Sequence, residues 1–182
     1  MTKKSNEPKI LLDCDVIIHF IKGGQQLLLT KIYPKRLVLL DKVLSELEKR
    51  RNSRVIIENF IKYTKIEVIP FPKKIEIIKE YSKLKKIMGD GEAACLAVAR
   101  YTENYIASSN LIDIKKYCQA HNIVYLTTMD ILLEAYRLKI MDEVECNNFI
   151  TEVKAKKSKL VNGIDTISDY EAYIKKQPKQ TE

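Results

Sequence analysis

Short apolar runs alternate with longer segments of helical spacing along this chain. The apolar runs predict buried strands at residues 9–13, 36–40, 66–69, 104–108 and 123–126. Helical spacing predicts helices at 15–21, 25–32, 41–51, 53–63, 73–87, from 89 onward, 111–120, 129–137 and 141–154, and Asp41 is a natural N-cap. Strands separated by helices imply a parallel sheet covered on both faces. We therefore predict an α/β protein.

The pattern also divides the chain into three parts. Residues 1–8 are polar and are expected to be a flexible N-terminus, and residues 9–155 contain every predicted strand and form one domain. Residues 156–182 are a C-terminal extension that we expect to be partly flexible, because its apolar content falls. Within that extension, residues 164–174 are predicted to fold as a short helix against the domain.

Composition and charge narrow the class of protein. Hydrophobic residues make up 46% of the chain, enough for a core, yet no apolar run could span a membrane and no signal-type segment is present. We therefore expect a cytoplasmic protein without membrane partners. Cys14, Cys95, Cys118 and Cys146 lack the spacing of zinc ligands and are expected to be reduced, buried thiols. The net charge of +8 favours a polyanionic partner such as nucleic acid.

Polar side chains follow the ends of several predicted strands or lie in the helices after them. Open parallel sheets form their active sites beyond the carboxyl ends of the strands, so these side chains are candidates for one site. The candidates are Asp13, Asp15, Glu46, Glu92, Asn110 and Asp113. Three or more carboxylates in one site repel each other unless a hard divalent cation lies between them. Mg²⁺ takes oxygen ligands, and such an ion can activate water and neutralise a phosphodiester.

Each carboxylate also has a structural interpretation that needs no metal. Asp13 could cap the helix that follows it, and Glu46 could pair with Arg50 one turn later on an exposed face. Asp90 is expected to be a helix N-cap, and Glu92 could be a first-turn acid stabilised by the helix dipole. Two acids are left open between a surface position and a site position: Asp15 and Asp113.

Taken in order, five segments resemble the PIN-domain family of metal-dependent nucleases over roughly residues 9–154. KILLDCDVIIHF is similar to the family's opening strand, whose last residue is a metal-binding Asp, here Asp13. RLVLLDKVLSELEK and GDGEAACLAVA resemble the segments that supply two further acids, here Glu46 and Glu92. YIASSNLIDIKKYC and TTMDILLEAYRLKIM resemble a later strand and helix and the closing segment of one bacterial subgroup.

The resemblance implies a fold, a metal and an activity. The fold is a three-layer α/β/α domain with a central parallel sheet of four to five strands. The metal is Mg²⁺ or Mn²⁺, held by Asp13, Glu46 and Glu92 with Asp15, and the activity is endoribonuclease. This chain departs from the family where most members have another Asp after the fourth strand. Asn110, with Ser109, would serve there as a neutral ligand, or Asp113 would reach in.

The resemblance implies partners as well. Small bacterial members are often VapC-like ribonuclease toxins held by an antitoxin, so RNA, an antitoxin protein and a second copy of the chain are expected partners. Basic side chains that could follow the RNA backbone are Lys49, Arg50, Arg51, Lys85 and Lys86. A solvated charged surface is the alternative interpretation of each of them.

Two other functions remain open beside the nuclease. The first is a catalytically weak or inactive PIN-fold module that binds RNA or protein, which the missing Asp favours. The second is a phosphatase of the haloacid-dehalogenase type, because LLDCDV resembles the opening DxD of that class. In that class the GD-containing motif follows the strand with the Ser or Thr. Here GDGEAAC precedes the strand NYIAS, so the order of motifs disfavours a phosphatase.

Overall fold

A five-stranded parallel sheet forms the centre of the part of the protein that the computed structural model describes, residues 7–50 and 53–177. The strands are β1 (Ile10–Leu12), β2 (Leu37–Leu40), β3 (Glu67–Ile69), β4 (Tyr105–Ala107) and β5 (Tyr125–Leu126). Their order is β3-β2-β1-β4-β5, and every neighbouring pair is parallel. The chain order reverses on either side of β1, so the crevice beyond β1 and β4 is where such sheets bind ligands.

Ten helices in the described residues flank this sheet. They are α1 (Cys14–Lys22), α2 (Leu28–Ile32), α3 (Asp41–Glu48), α4 (Arg54–Thr64), α5 (Ile75–Leu84), α6 (Asp90–Arg100), α7 (Leu111–Ala120), α8 (Thr128–Arg137), α9 (Glu143–Ala155) and α10 (Ile167–Lys175). Helices α3 and α5 pack on α6, whereas α2, α9 and α10 pack on α8. The β1 residues are fully buried, as expected for a sheet covered on both faces. The predicted three-layer α/β/α class is thus confirmed.

Two predicted N-caps are wrong. Leu40 is the N-cap of α3, and Asp41 is its first helical residue. The Asp41 carboxylate instead accepts a hydrogen bond from the Phe71 backbone N–H at 3.0 Å, which ties the segment after β3 to α3. Likewise Gly89 is the N-cap of α6, and the Asp90 carboxylate pairs with Lys85, the C-cap of α5, at 3.0 Å. Asp41 therefore joins segments 30 residues apart, whereas Asp90 joins the end of α5 to the start of α6. Helix α3 also ends at Glu48, earlier than predicted.

The state of the cysteines agrees with the sequence prediction. All four cysteines are free and buried. None of the helices in the described residues is long and apolar enough to cross a membrane.

The C-terminal helix α10 packs on α8 and α9, which confirms the helix predicted near residues 164–174. Tyr170 is its main anchor, with only 2% of its surface exposed. The Tyr170 hydroxyl donates a hydrogen bond to Asp130 Oδ1 at 2.7 Å, and the same Asp130 completes the capping box of α8 with Thr127. Within the described residues, the extension is therefore part of the packed structure. The domain boundary near residue 155 stays a prediction.

Loss of the Tyr170 hydroxyl should be measurable. We expect Tyr170→Phe to lower the free energy of unfolding by about 1–2 kcal/mol, because the hydroxyl donates to a charged acceptor in a buried setting. Chemical denaturation followed by circular dichroism would measure it. Tyr173→Phe on the same helix is the matched control, because Tyr173 is 37% exposed. Equal effects of the two substitutions would contradict this role for Tyr170.

Candidate active site

Asp13 lies at the carboxyl end of β1, in the crevice at the point where the strand order reverses. Its backbone N–H donates to Ala107 O at 2.9 Å, and its Oδ1 accepts from Cys14 N at 2.7 Å. The side chain therefore does cap α1, as the structural interpretation proposed. It also lies among other acids: burial, then the charges of Asp15 and Glu92, raise the pKa of Asp13 well above its ordinary value.

Asp15, in the first turn of α1, is held by two backbone groups. Val16 N–H donates to Oδ1 at 2.6 Å, and Ser109 N–H, from the segment after β4, donates to Oδ2 at 2.8 Å. Burial nevertheless outweighs these hydrogen bonds and raises the pKa of Asp15 to about 6. Asp15 is thus partly buried near Asp13 and Glu92, whose pKa values its charge raises, and it connects α1 to the segment after β4.

Glu92 is the most unusual carboxylate of the group. It lies in the first turn of α6 and is only 6% exposed. Asn110 Nδ2 donates to its Oε2 at 3.4 Å, but its Oε1 is buried with no hydrogen-bond partner in the described residues. Burial, followed by the charges of Asp113 and Asp15, raises the pKa of Glu92 to about 7. A buried carboxylate oxygen without a partner is costly unless a cation or donor can reach it.

Glu46 reaches the same region from α3. Its Oε2 accepts a hydrogen bond from Gly91 N–H at 2.7 Å, and no ion pair joins it to Arg50 within the described residues. The alternative of an exposed pair with Arg50 is therefore wrong. Gly91 favours this close approach, because a Cβ there would lie 3.1 Å from Glu46 Oε2 and 3.2 Å from Val43 Cγ2, and both side chains would have to shift slightly.

The segment after β4 does not present the neutral oxygen ligands that the sequence suggested. Asn110 directs its Nδ2 toward Glu92 and donates to Asp113 Oδ2 at 2.6 Å, while Asp113 itself is exposed. Ser109 Oγ accepts a hydrogen bond from Thr128 N–H at 2.9 Å and contacts Thr128 Oγ1 at 2.8 Å. This segment contributes hydrogen-bond donors to the carboxylates: backbone groups of Ser109 and Asn110 to Asp15, the Asn110 side-chain amide to Glu92, and the Ser108 side chain to Asp13.

Sequence reasoning missed a series of hydrogen-bonded polar side chains that begins at Ser109, the residue that binds Asp15. From Ser109 it continues through Thr128 Oγ1 to His19 Nδ1 at 2.8 Å. His19 is buried, and burial together with the charge of Lys22 lowers its pKa to about 4, so its ring is neutral near pH 7. The available signal was the spacing of four residues between Asp15 and His19, which places both on one face of α1.

The predicted basic residues do not form one group. Lys49, Arg50 and Lys86 are exposed, and Lys85 pairs with Asp90 at 3.0 Å. Arg51 lies outside the described residues. The partner of Lys85, Asp90, is the residue before Gly91, whose N–H binds Glu46. Lys85 therefore lies near the acids.

Asp13, Asp15, Glu46 and Glu92 thus converge on one place, which we call the carboxylate crevice. Among residues 7–50 and 53–177, no three His, Cys, Asp or Glu side chains already have positions that would hold a metal ion. The donor chemistry still fits a hard divalent cation, because the donors are carboxylate oxygens, their charges repel one another, and one of them is buried without a partner. Side-chain rotation would be needed to bring the oxygens onto one ion.

Comparison of the sequence with known proteins identifies the family of this chain. The family model DUF3368, described as a PIN domain, matches residues 9–162. No curated protein matches the sequence. One similar solved structure is that of VapBC2 from Rickettsia felis bound to a DNA fragment from their promoter, with a TM-score of 0.49 and 15% identity, over 65% of this chain and 97% of that one. Because the family model covers most of the sequence, this chain belongs to the PIN-domain family, whose members are generally nucleases.

Proposed function

We propose that this protein is a Mg²⁺- or Mn²⁺-dependent endoribonuclease. The observation that carries the proposal is Glu92 Oε1, a buried carboxylate oxygen without a partner, in a crevice where acids raise each other's pKa values. A fold gains nothing from such an arrangement by itself, since each charge destabilises the others. A cation-dependent reaction on a phosphodiester explains why the acids are there.

Asp13, Glu46, Glu92 and Asp15 are the residues that would hold one or two ions. A divalent ion bound by them would supply an activated water and charge neutralisation at phosphorus. The chain's own hydrogen bonds orient the acids: Gly91 N–H holds Glu46, and Ser109 N–H holds Asp15. In this proposal Asn110 donates to Glu92 and to the exposed Asp113, so neither is required as a ligand.

Asp15 could take the place of the Asp that most family members have after the fourth strand and that this chain lacks. The residue there, Ser109, binds Asp15 through its backbone N–H and turns its hydroxyl toward Thr128. The position next to β4 is therefore reached by a carboxylate from α1 instead of one from β4 itself. We propose that Asp15 restores the fourth negative charge of the crevice.

RNA as substrate is supported by the net charge of +8 and by the resemblance seen in the sequence. The same resemblance supports a role as the toxin of a toxin–antitoxin module, with an antitoxin protein as partner, and a homodimer. The cytoplasm is the location expected for such a protein.

The proposal is tested by cleavage of a labelled single-stranded RNA in MgCl₂, MnCl₂ and EDTA. We expect cleavage only with metal, and a loss of about 100-fold or more in Asp13→Asn and in Glu92→Gln, because each removes a charge that would stabilise the ion. Glu48→Gln is the matched control, since Glu48 is an exposed acid on α3. Cleavage that persists in EDTA, or that survives both crevice substitutions, would sink the proposal.

A second candidate function is an RNA-binding module without catalysis. Two observations favour it: a carboxylate is missing after β4, and no three acids in the described residues are already in position around an ion. In that case the wild type and Asp13→Asn would bind RNA equally in EDTA, and neither would cleave it in MnCl₂.

A further inference from the structure

Two lysines from different helices lie near the start of α6, the helix that carries Glu92. Lys42 is the second residue of α3, one turn before Glu46, and Lys85 is the C-cap of α5. Because α3 and α5 both pack on α6, the two lysines reach the same aromatic ring. Lys42 Nζ lies 5.4 Å and Lys85 Nζ 5.5 Å from the centre of the Tyr81 ring. We call this pair the lysine rim.

The lysine rim is anchored to the start of α6. The Tyr81 hydroxyl donates to Asp90 Oδ1, and Lys85 Nζ lies 3.0 Å from the same oxygen and 3.3 Å from the Tyr81 hydroxyl. The next residue, Gly91, holds Glu46 through its N–H, and Glu92 follows. The rim is therefore joined to the crevice by three consecutive residues of one helix.

The charges of the rim are not balanced. Lys85 shares Asp90, but no salt bridge joins Lys42 to any carboxylate within the described residues. Lys42 is only half-buried, so an external anion can reach its ammonium group. Of the two lysines, Lys42 is therefore the one whose ammonium group has no carboxylate partner among the described residues.

The crevice itself would repel a polyanion, since it concentrates negative charge. A nucleic acid can approach such a site only if cations nearby hold its flanking phosphates. The lysine rim provides cations on the α3–α5 side, and the partner that matches a lone ammonium with access to solvent is a phosphate oxygen.

We infer that Lys42, with Lys85, binds a backbone phosphate of the nucleic acid next to the phosphodiester that enters the carboxylate crevice. This inference rests on the proposed function, since it assigns part of that substrate's path. Lys42 sets the position of the strand, and Tyr81 holds both lysines in place. Sequence reasoning identified Lys85 but not Lys42.

The test measures binding of a short single-stranded RNA and of DNA of the same sequence, in EDTA, over a range of salt concentrations. We expect Lys42→Gln to weaken binding about three- to tenfold at low salt, and to lower the slope of log affinity against log salt by about 0.7, the value for one phosphate contact on a single strand. RNA and DNA should be affected equally, because the contact is to phosphate.

Lys62→Gln is the matched control. Lys62 is an exposed lysine on α4 whose Nζ lies 5.7 Å from the centre of the Tyr63 ring. Lys62→Gln therefore removes the same charge and the same kind of aromatic contact as Lys42→Gln. Lys62→Gln should leave the affinity for nucleic acid within about twofold of the wild type and should not change the slope of log affinity against log salt. Melting curves of each variant show whether it is folded.

Each outcome decides the inference. Equal effects of Lys42→Gln and Lys62→Gln, an unchanged salt slope in Lys42→Gln, or no nucleic-acid binding by the wild type would overturn it. An effect of Lys42→Gln on RNA alone would overturn the assignment to phosphate. If the wild type binds RNA through Lys42 but never cleaves it with metal, the proposed nuclease fails while this inference stands. If the wild type cleaves RNA with metal but Lys42→Gln does not change binding, this inference fails while the proposed nuclease stands.

Discussion

In metal-free buffer at pH 7.5, Glu92→Gln is expected to raise the free energy of unfolding by about 2 kcal/mol. Burial and the charges of Asp113 and Asp15 raise the pKa of Glu92 from 4.5 to about 7. The ionised form is therefore disfavoured in the folded state relative to the unfolded chain. An amide has the shape of the carboxyl group without its charge, and its N–H₂ can donate to neighbouring acids.

The pH dependence gives this prediction its sign. Between pH 4.5 and about 7 the folded protein binds a proton at Glu92 that the unfolded chain has lost, so wild-type stability falls as the pH rises through that window. Asp15, with a pKa of about 6, adds to the fall. The gain from Glu92→Gln should therefore be present at pH 7.5 and vanish below pH 4.5.

Urea denaturation at several pH values, with and without MnCl₂, would measure the effect. Glu48→Gln, an exposed change, should shift stability by less than about 0.5 kcal/mol at every pH. Added Mn²⁺ should stabilise the wild type more than Glu92→Gln, because ligand binding to the folded state adds to stability. A Glu92→Gln variant that is less stable than the wild type at pH 7.5 would show that this carboxylate is needed by the fold itself.

Arg100→Met is expected to lower the free energy of unfolding by about 2–3 kcal/mol, because it leaves a buried carboxylate without its main cation. Glu80 on α5 is 4% exposed, and its Oε1 lies 2.6 Å from Arg100 Nη1, at the end of α6. The Tyr117 hydroxyl, from α7, donates to the same oxygen at 2.8 Å. The cost falls below that of a fully buried pair, since the Arg100 side chain is 30% exposed.

Acid should abolish this difference. Burial alone would raise the pKa of Glu80, but hydrogen bonds from Tyr117 and Arg100, and the charge of Arg100, outweigh burial and hold the pKa below its ordinary value of 4.5. The stabilisation is therefore present above pH 4.5 and is lost as the pH falls through the lowered pKa. Denaturation at pH 7 and at acidic pH would show a gap between wild type and Arg100→Met that narrows with acid.

Lys83→Met is the matched control for Arg100→Met. Lys83 also lies near Glu80, at 3.7 Å, but its side chain is 74% exposed. An exposed ion pair of this kind contributes little, so we expect a change below about 0.5 kcal/mol. Equal losses in the two variants would mean that net charge, not the buried contact, determines the effect.

The sequence by itself was sufficient to predict the order of strands and helices and to identify the family. Apolar runs in the order strand–helix–strand predict a parallel sheet because only covered sheets bury strands such as Ile10–Leu12 on both faces. Asp13 was selected because it ends a predicted strand, and Glu46 and Glu92 because they lie in predicted helices. The resemblance to the PIN-domain family grouped the three acids into one candidate set.

Local sequence could not show which partner each polar group has. Asp41 and Asp90 have the local chemistry of N-caps, yet they bind Phe71, in the segment after β3, and Lys85, the C-cap of α5. The pairing of Glu46 with Gly91 rather than Arg50 likewise depends on α3 packing against α6. Helix propensity and spacing act over a few residues, whereas these contacts join segments about 30 or more residues apart in two of the three cases.

What the amino-acid sequence determined was therefore the α/β architecture and the PIN-domain membership, together with a set of candidate acids. Tertiary structure alone decided that Asp15 is held by Ser109, that Glu92 keeps one buried oxygen without a partner, and that Lys42 lies beside Tyr81. The reason is physical: burial, mutual charge repulsion and hydrogen-bond partners are properties of positions in space, and they arise only when β1, β4, α3, α5 and α6 meet at one crevice.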